Sequence, residues 1–337
     1  MNTNYHELHK SPEDKRDWKG EIILSNKIVL PSKLSYRKQY NKPRHQKGYP
    51  TCSAMASSAI KEWQEYNDVI GIGKPYFSPA FIYNHRRNYP DNGMYPRDTM
   101  KILQKFGTCL EDDYPYNKEN IENHRNRIPT EIKLIAKNFK IKNYASLSTI
   151  EGVKKALKKN GPCYIALPMK NGGHPRFWIK ENESDEYDGG GHAVTIVGYD
   201  DNKEIYGQKG AFEIRNSGGE NFNDDGYCWF PYCDFGIQWS IWTAIDENSD
   251  QPEKNYYIKW ANEYIKNKIK EFFKDKSWLI MTLGSLIYLL LPGVNSFTKW
   301  LKKFFKKKIK KISKKNKKYF YIVGGIIIIG IIVLIIF

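Results

Sequence analysis

Three segments of this chain hold residues whose types could do chemistry together. Cys52 opens CSAMASSAIKEWQEYN (residues 52–67), in which Ala56, Ile60 and Trp63 recur at helical spacing. A helix start carries about half a positive charge and unpaired N–H groups, which favour thiolate over thiol. The Cys52 pKa is therefore expected to be depressed, provided a base is near. His192 follows Gly189, Gly190 and Gly191 and begins the apolar run HAVTIVGY, which would hold it on a rigid strand; the glycines let another backbone approach closely. Asn216 ends the run FEIRN and is followed by Ser217, Gly218 and Gly219, a polar corner. Taken singly, each has an ordinary structural reading. A cysteine at a helix start is commonly a small packed hydrophobe, and a histidine at a strand start a hydrogen-bonded polar residue.

The joint pattern says more. Gln46 six residues before a helix-opening cysteine, a histidine about 140 residues later and an asparagine soon after resemble the papain-like cysteine peptidases, whose order and spacing these are. GGGHAVTIVGYD, NSGGENFNDDGYCWFPY, SPAFIYNHRR, GMYPRDTMKILQKFGTCLEDDYPY and GPCYIAL are similar to further segments of that family, over about residues 28–247. The likeness is strongest to microbial members without the usual disulfide framework. It implies Cys52 as nucleophile, His192 as general acid/base and Asn216 as the residue orienting the imidazole. Gln46 would be the side-chain oxyanion donor beside the Cys52 N–H. The implied reaction is hydrolysis of protein or peptide substrates through a thioacyl-enzyme, with no cofactor and no metal. Five positions depart from the family pattern: Ser53 and Gly218 replace aromatics, Phe222–Asn223 replaces Trp–Gly, and Tyr49 replaces a half-cystine. Gly218 removes the usual cover over the His–Asn bond, so a looser imidazole is expected. A non-catalytic binding protein on the same fold, and an acyl-transfer or deconjugating enzyme with the same triad, are the alternatives.

These residues need elements to hold them. Residues 52–67, 98–107 and 149–160 predict helices; CYIAL, HAVTIVGY, AFEIRN and GYCWFPY predict short strands bounded by Gly, Asp and Asn. Helices first and strands later argue an α+β class. The resemblance refines this to a papain-like fold of two halves, one helical and carrying the cysteine, one barrel-like and carrying the histidine and asparagine. The expected organisation is an N-terminal extension (1–27), a peptidase domain (28–250), an amphipathic linker (251–277) and a short apolar segment (278–298). A Lys-rich segment (299–318) and a transmembrane helix (319–337) complete it.

The chain of 337 residues has 54 Lys+Arg against 37 Asp+Glu, which at first suggests a nucleic-acid partner. Residues 1–253 hold 35 of the basic and 34 of the acidic residues, whereas 299–318 hold 12 Lys and no acid. The body is thus near neutral, and the basic block, interleaved with Trp300, Leu301, Phe304, Phe305, Ile309 and Ile312, suits an anionic lipid surface. No nucleic acid is expected. The apolar run 320–337 would span roughly 27 Å as a helix, near the hydrocarbon thickness. No signal peptide is visible in residues 1–20, so the expectation is a tail-anchored protein with its peptidase domain cytosolic. If the run 278–291 also spans, the orientation reverses.

Other candidates read as structural: His6 and His9 as solvated, Cys228 and Cys233 as strand-core residues, Cys109 and Cys163 as buried and inert. Asn182 heads an acceptor motif for glycosylation. Trp18 and Ile22–Leu24 are the N-terminal side chains able to dock into a groove.

Overall fold

The computed structural model describes residues 7–24, 27–68, 74–180 and 190–246. His6, Asn182 and every segment expected beyond residue 246, including the apolar run 320–337, lie outside them. Among the described residues no helix is long and apolar enough to cross a membrane.

The helices are α1 (Gly20–Ile23), α2 (Cys52–Asp68), α3 (Pro79–Asn84), α4 (Pro96–Lys105), α5 (Lys118–Ile121), α6 (Thr130–Ala136) and α7 (Ile150–Asn160). The strands are β1 (Lys33–Ser35), β2 (Ile141–Leu147), β3 (Cys163–Pro168), β4 (Gly191–Ile205), β5 (Gln208–Arg215), β6 (Tyr227–Pro231) and β7 (Ser240–Asp246). The class is α+β, with a helical first half and a largely stranded second half. The sheet runs β2-β7-β3-β4-β5-β6, with β1 on β4, and its named strand pairs are all antiparallel. The expected barrel-like half is thus a seven-stranded sheet whose ends are β2 and β6.

Helix α2 is the central element. Its small residues Ala54, Ala56 and Ala59 are buried and let neighbouring backbone approach closely, with Ile60 filling the space beside them. It divides two apolar clusters: Ala54, Ala56 and Ile60 join the helical side, and Ala59 joins the sheet side. A helix buried around its circumference must satisfy its polar side chains internally. Ser57 accordingly donates to the Ser53 carbonyl, and Lys61 pairs with Glu65 at 2.6 Å. Helix α4 begins and ends two residues before its expected span of 98–107: Pro96 suits a first helical position, and Gly107 at φ 73° takes the chain out of the helix. Thr149 caps α7 by accepting from the Gly152 N–H.

The hairpin between β4 and β5 turns at Tyr206 and Gly207, both with positive φ, as a two-residue primed turn requires. Because β4 and β5 run antiparallel with Thr195 opposite Arg215, the start of β4 lies beside the end of β5. That register brings His192 and Asn216 to the same edge. The Thr195 hydroxyl donates to the Ala56 carbonyl at 3.0 Å and ties this edge to α2.

The N-terminal residues are packed on this body. Leu8 is buried, whereas Trp18 and Ile22 are 53% and 82% exposed. The residue seated in a groove is therefore Leu8, and of the expected docking residues only Leu24 is buried.

Candidate active site

Cys52 is the first residue of α2 and is 1% exposed. Ala193, next along β4 from His192, lies in the same buried cluster, and its N–H favours the Cys52 thiolate. On the other side of the imidazole, His192 Nε2 donates to Asn216 Oδ1 at 2.8 Å, which leaves Nδ1 as the ring nitrogen not engaged by Asn216. Asn216 Oδ1 also accepts from the Ser217 N–H at 2.8 Å. Gln46 is buried and joined to the same corner twice: its N–H donates to the Ser217 carbonyl at 2.9 Å, and its Oε1 accepts from Ser217 Oγ at 2.6 Å. Gln46 Nε2 donates to the Tyr49 carbonyl at 2.9 Å. The four residues singled out in the sequence thus meet at the junction of α2 with the β4–β5 edge.

The Cys52 thiol departs from expectation. Burial pushes its pKa up to about 11, and the Ala193, Ser53 and Cys52 N–H groups oppose that shift without cancelling it. A thiolate at 1% exposure has lost its hydration, and the helix start does not replace it. Cys109, Cys163 and Cys228 are buried, and burial raises each of them too. Cys233 corrects the strand-core expectation: β6 ends at Pro231, the chain turns through Tyr232–Asp234, and Cys233 is exposed. All five cysteines are free. His9, expected to be solvated, is half-buried against Tyr95, its Nε2 3.0 Å from the Asn92 carbonyl.

The departures from the family pattern have local explanations. Ser53 is buried, with its Oγ 2.7 Å from Thr99 Oγ1 and 2.8 Å from the Tyr164 hydroxyl, so β3 supplies the aromatic ring there. Asn223 stands at φ 45°, a left-handed conformation that asparagine tolerates, and its Nδ2 donates to the Tyr227 carbonyl. Gly218 does not leave the imidazole loose as expected. His192 and Asn216 are 3% and 6% exposed, and the Phe177 ring meets the imidazole edge to face with centroids 5.1 Å apart.

Beside this junction lies a cleft of about 430 Å³ lined by Gln46, His174, Phe177, His192, Gly218 and Phe222, among others. The N-terminal segment is bonded to the start of β4, beside His192. Leu8 exchanges backbone hydrogen bonds with Gly191, and the His9 N–H donates to the Met94 carbonyl. A Cβ on Gly191 would meet Trp239 at 2.3 Å, so only glycine lets the strand pass here. The Leu8 side chain joins the apolar cluster that includes Cys52, Met94 and Ala193. This contact was not legible in the sequence, since Leu8 is a lone apolar residue among polar ones. Chemically, a buried thiol, a fixed imidazole and an amide donor around a cleft are the groups that acyl transfer needs.

Comparison with known proteins agrees with that chemistry. The profile described as "Papain family cysteine protease" matches residues 30–234. A cathepsin B-like protein, CP2, of Giardia intestinalis is 26% identical over 221 residues, covering 60% of this chain and 70% of its own. An uncharacterized peptidase C1-like protein of Acanthamoeba polyphaga mimivirus is 25% identical over 261 residues, covering 70% of this chain and 78% of its own. Among solved structures, xylellain, a cysteine protease from Xylella fastidiosa, superposes with a TM-score of 0.60 at 23% identity. That match covers 73% of this chain and 97% of xylellain, and at such identity it speaks for the fold.

Proposed function

Since this chain belongs to the papain family of cysteine proteases and is a papain-like cysteine peptidase, we propose that it cleaves peptide bonds with Cys52, His192, Asn216 and Gln46 as its working groups. The observation that carries this is the 2.8 Å His192–Asn216 bond at the end of the strand whose next residue, Ala193, lies in the same buried cluster as Cys52. With Asn216 on Nε2, the imidazole offers Nδ1 to the thiol. The buried thiol is neutral, so its proton passes to Nδ1 as the sulfur–carbon bond forms. The carbonyl oxygen, now anionic, is met by the Cys52 N–H and the Gln46 carboxamide. The imidazolium then protonates the leaving amine as the carbon–nitrogen bond breaks. Water, deprotonated by His192, attacks the thioester, and the acid and the free thiol are released.

The test is covalent labelling of the full-length protein by an epoxide inhibitor of cysteine peptidases. One equivalent on Cys52, with activity lost in step and Cys52→Ala inactive, is the expected result. Cleavage that survives in Cys52→Ala would end this assignment, and a protein neither labelled nor active would favour a binding role on the same fold.

The same reading extends to the tail. The uncharged run 320–337 is long enough to cross a bilayer, and the 12 lysines in 299–318 suit the anionic cytosolic surface. The protein is then tail-anchored, with its peptidase domain cytosolic. Carbonate should leave the full-length protein with membranes, and deletion of 320–337 should release it. A deletion variant that stays in the membrane pellet would refute the anchor.

A further inference from the structure

Behind the catalytic groups lies a buried cluster of charges that the reaction itself does not use. Glu62 is on α2, ten residues and nearly three turns beyond Cys52, or about 15 Å along the helix axis. Its side chain is 3% exposed and faces two guanidinium groups. Arg44 Nη2 is 2.5 Å from Glu62 Oε1, and Arg215 Nη2 is 3.6 Å from Glu62 Oε2. Both arginines sit next to working residues in the chain: Arg44 two residues before Gln46, and Arg215 directly before Asn216.

We propose that Glu62 is a positioning residue, a single carboxylate that holds the Gln46 segment and the Asn216 segment in register with the helix that Cys52 opens. The inference rests on the site assignment above and goes beyond it. Arg44 is fixed further by Ser58 Oγ at 3.1 Å, the Phe77 carbonyl at 2.9 Å and Glu111 Oε2 at 2.5 Å. Glu111 leads back to the site, because its Oε1 accepts from the Tyr116 N–H, and the Tyr116 hydroxyl donates to the Gln46 carbonyl at 2.8 Å. Arg215 lies over the Tyr40 ring at 4.9 Å and donates to the Lys42 carbonyl. A cavity of about 10 Å³, the size of one water site, is lined by Arg44 and Arg215 together with Met55 and Ala56 of α2, Ala193–Thr195, Asn216 and Ser217.

The physical case is one of geometry rather than stability. Two carboxylates and two guanidinium groups make a neutral cluster, and burying such charges costs about what their attraction returns. An apolar filling of equal volume would hold the fold as well, but would set no direction. Each Glu62 oxygen, by contrast, faces a different arginine. A shift of the Arg44 or Arg215 segment moves Gln46 or Asn216 relative to Cys52, and a misplacement of about 1 Å can cost on the order of 100-fold in rate.

The test is Glu62→Gln in the full-length chain, with turnover counted per Cys52 titrated by the epoxide. That count removes any loss of folded enzyme. The expected result is a kcat per titrated site about tenfold or more below wild type with KM within about twofold. Arg215→Lys should retain more kcat than Arg215→Ala, since it keeps the charge. Should Glu62→Gln not fold, Glu111→Gln opens only the outer pair with Arg44 and should show a smaller fall with the same KM pattern. Unchanged kcat per titrated site in the variants that fold, whatever their melting temperatures, would overturn the proposal. Activity in Cys52→Ala would instead overturn the site assignment.

Discussion

His192 Nε2 and Asn216 Oδ1 share a 2.8 Å hydrogen bond that stays buried although residue 218 is glycine. The cover comes from Phe177, whose ring abuts the imidazole at 5.1 Å, and from Phe222, whose Cβ would lie 3.2 Å from a Cβ at position 218. A buried bond orients the ring without competition from water. Asn216→Ala is therefore expected to lower kcat by on the order of 100-fold, and Cys52→Ala or His192→Ala to abolish cleavage. Phe177→Ala should cost about tenfold, with Phe177→Leu milder, because an edge-to-face ring contact contributes about 1 kcal/mol. Steady-state kinetics per titrated site decide it. An Asn216→Ala enzyme within twofold of wild type would show that the imidazole needs no such partner.

As the proposed oxyanion donor, Gln46 would answer charge that exists only in the transition state. Its carboxamide is oriented by Ser217 Oγ on Oε1, so the amide nitrogen has a fixed direction. Gln46→Ala removes a donor and should lower kcat by about 100-fold or more with little change in KM. Ser217→Ala removes the bond on Oε1 but leaves the one from Nε2 to the Tyr49 carbonyl, and should cost less. If the order of the two variants were reversed, Ser217 and not Gln46 would be the group that matters.

What the sequence disclosed and what it withheld follow from the range of each interaction. Helix α2 was legible because Ala56 and Ile60 face one side at helical spacing, and β3–β6 because their apolar runs end in Gly, Asp or Asn. Strand β2 was passed over: at the sheet's end it keeps Lys142, Asn143 and Ser146 out of the core. Gln46, Cys52, His192 and Asn216 were legible through their resemblance to the papain-like order and spacing, and the β4–β5 register brings the last two together. The state of the Cys52 thiol was not readable, since a helix start argues for thiolate while the folded chain buries Cys52 in an apolar cluster whose other members, Leu8 and Met94 among them, are distant in sequence. The Arg44–Glu62–Arg215 cluster joins residues far apart in the chain. The available signal was local: charges at Lys61, Glu62 and Glu65 in a helix whose first nine residues are all small or apolar.

His85 gives a pH test of stability remote from the chemistry. It is buried between Phe81 and Phe106, with ring centroids 4.5 Å from each, and its Nδ1 is 2.8 Å from the Phe81 carbonyl. Burial first, then Lys133, Arg125 and His124, push its pKa down to about 4, against the pull of the Phe81 carbonyl. The unfolded chain titrates near 6.5. Between those values the unfolded state binds a proton that the folded state refuses, so the contribution is complete above about pH 6.5 and is lost as pH falls toward 4. The loss is about 3 kcal/mol at most. Urea unfolding from pH 7 to 4 should show wild type falling more steeply than His85→Gln. Parallel curves would mean that His85 is not held neutral.

The N-terminal segment makes the last prediction. Leu8 and Gly191 exchange backbone bonds at 3.3 and 3.2 Å, one residue from His192, and the Leu8 side chain is 1% exposed in the Cys52 cluster. The segment is clamped along its length. Asp17 pairs with Arg97 at 2.6 Å, the Trp18 carbonyl accepts from the Ser146 N–H at 2.8 Å, and Glu21 accepts from the N–H groups of Ser148 and Thr149. An extended substrate pairing with this edge needs the same Gly191 N–H and carbonyl, so the two exclude each other. Leu8→Asp, which puts a charge in an apolar seat but keeps the clamps, should raise peptide cleavage, and deletion of residues 1–18 should raise it further. Leu8 belongs to the apolar cluster that holds Cys52, so loss of the segment should lessen the burial that raises the thiol pKa and increase the thiolate fraction at pH 8. Alkylation followed by mass spectrometry reads this, in a Cys233→Ser background because exposed Cys233 would otherwise react first. Equal alkylation and equal cleavage with and without the segment would show that substrates reach Cys52 by another route.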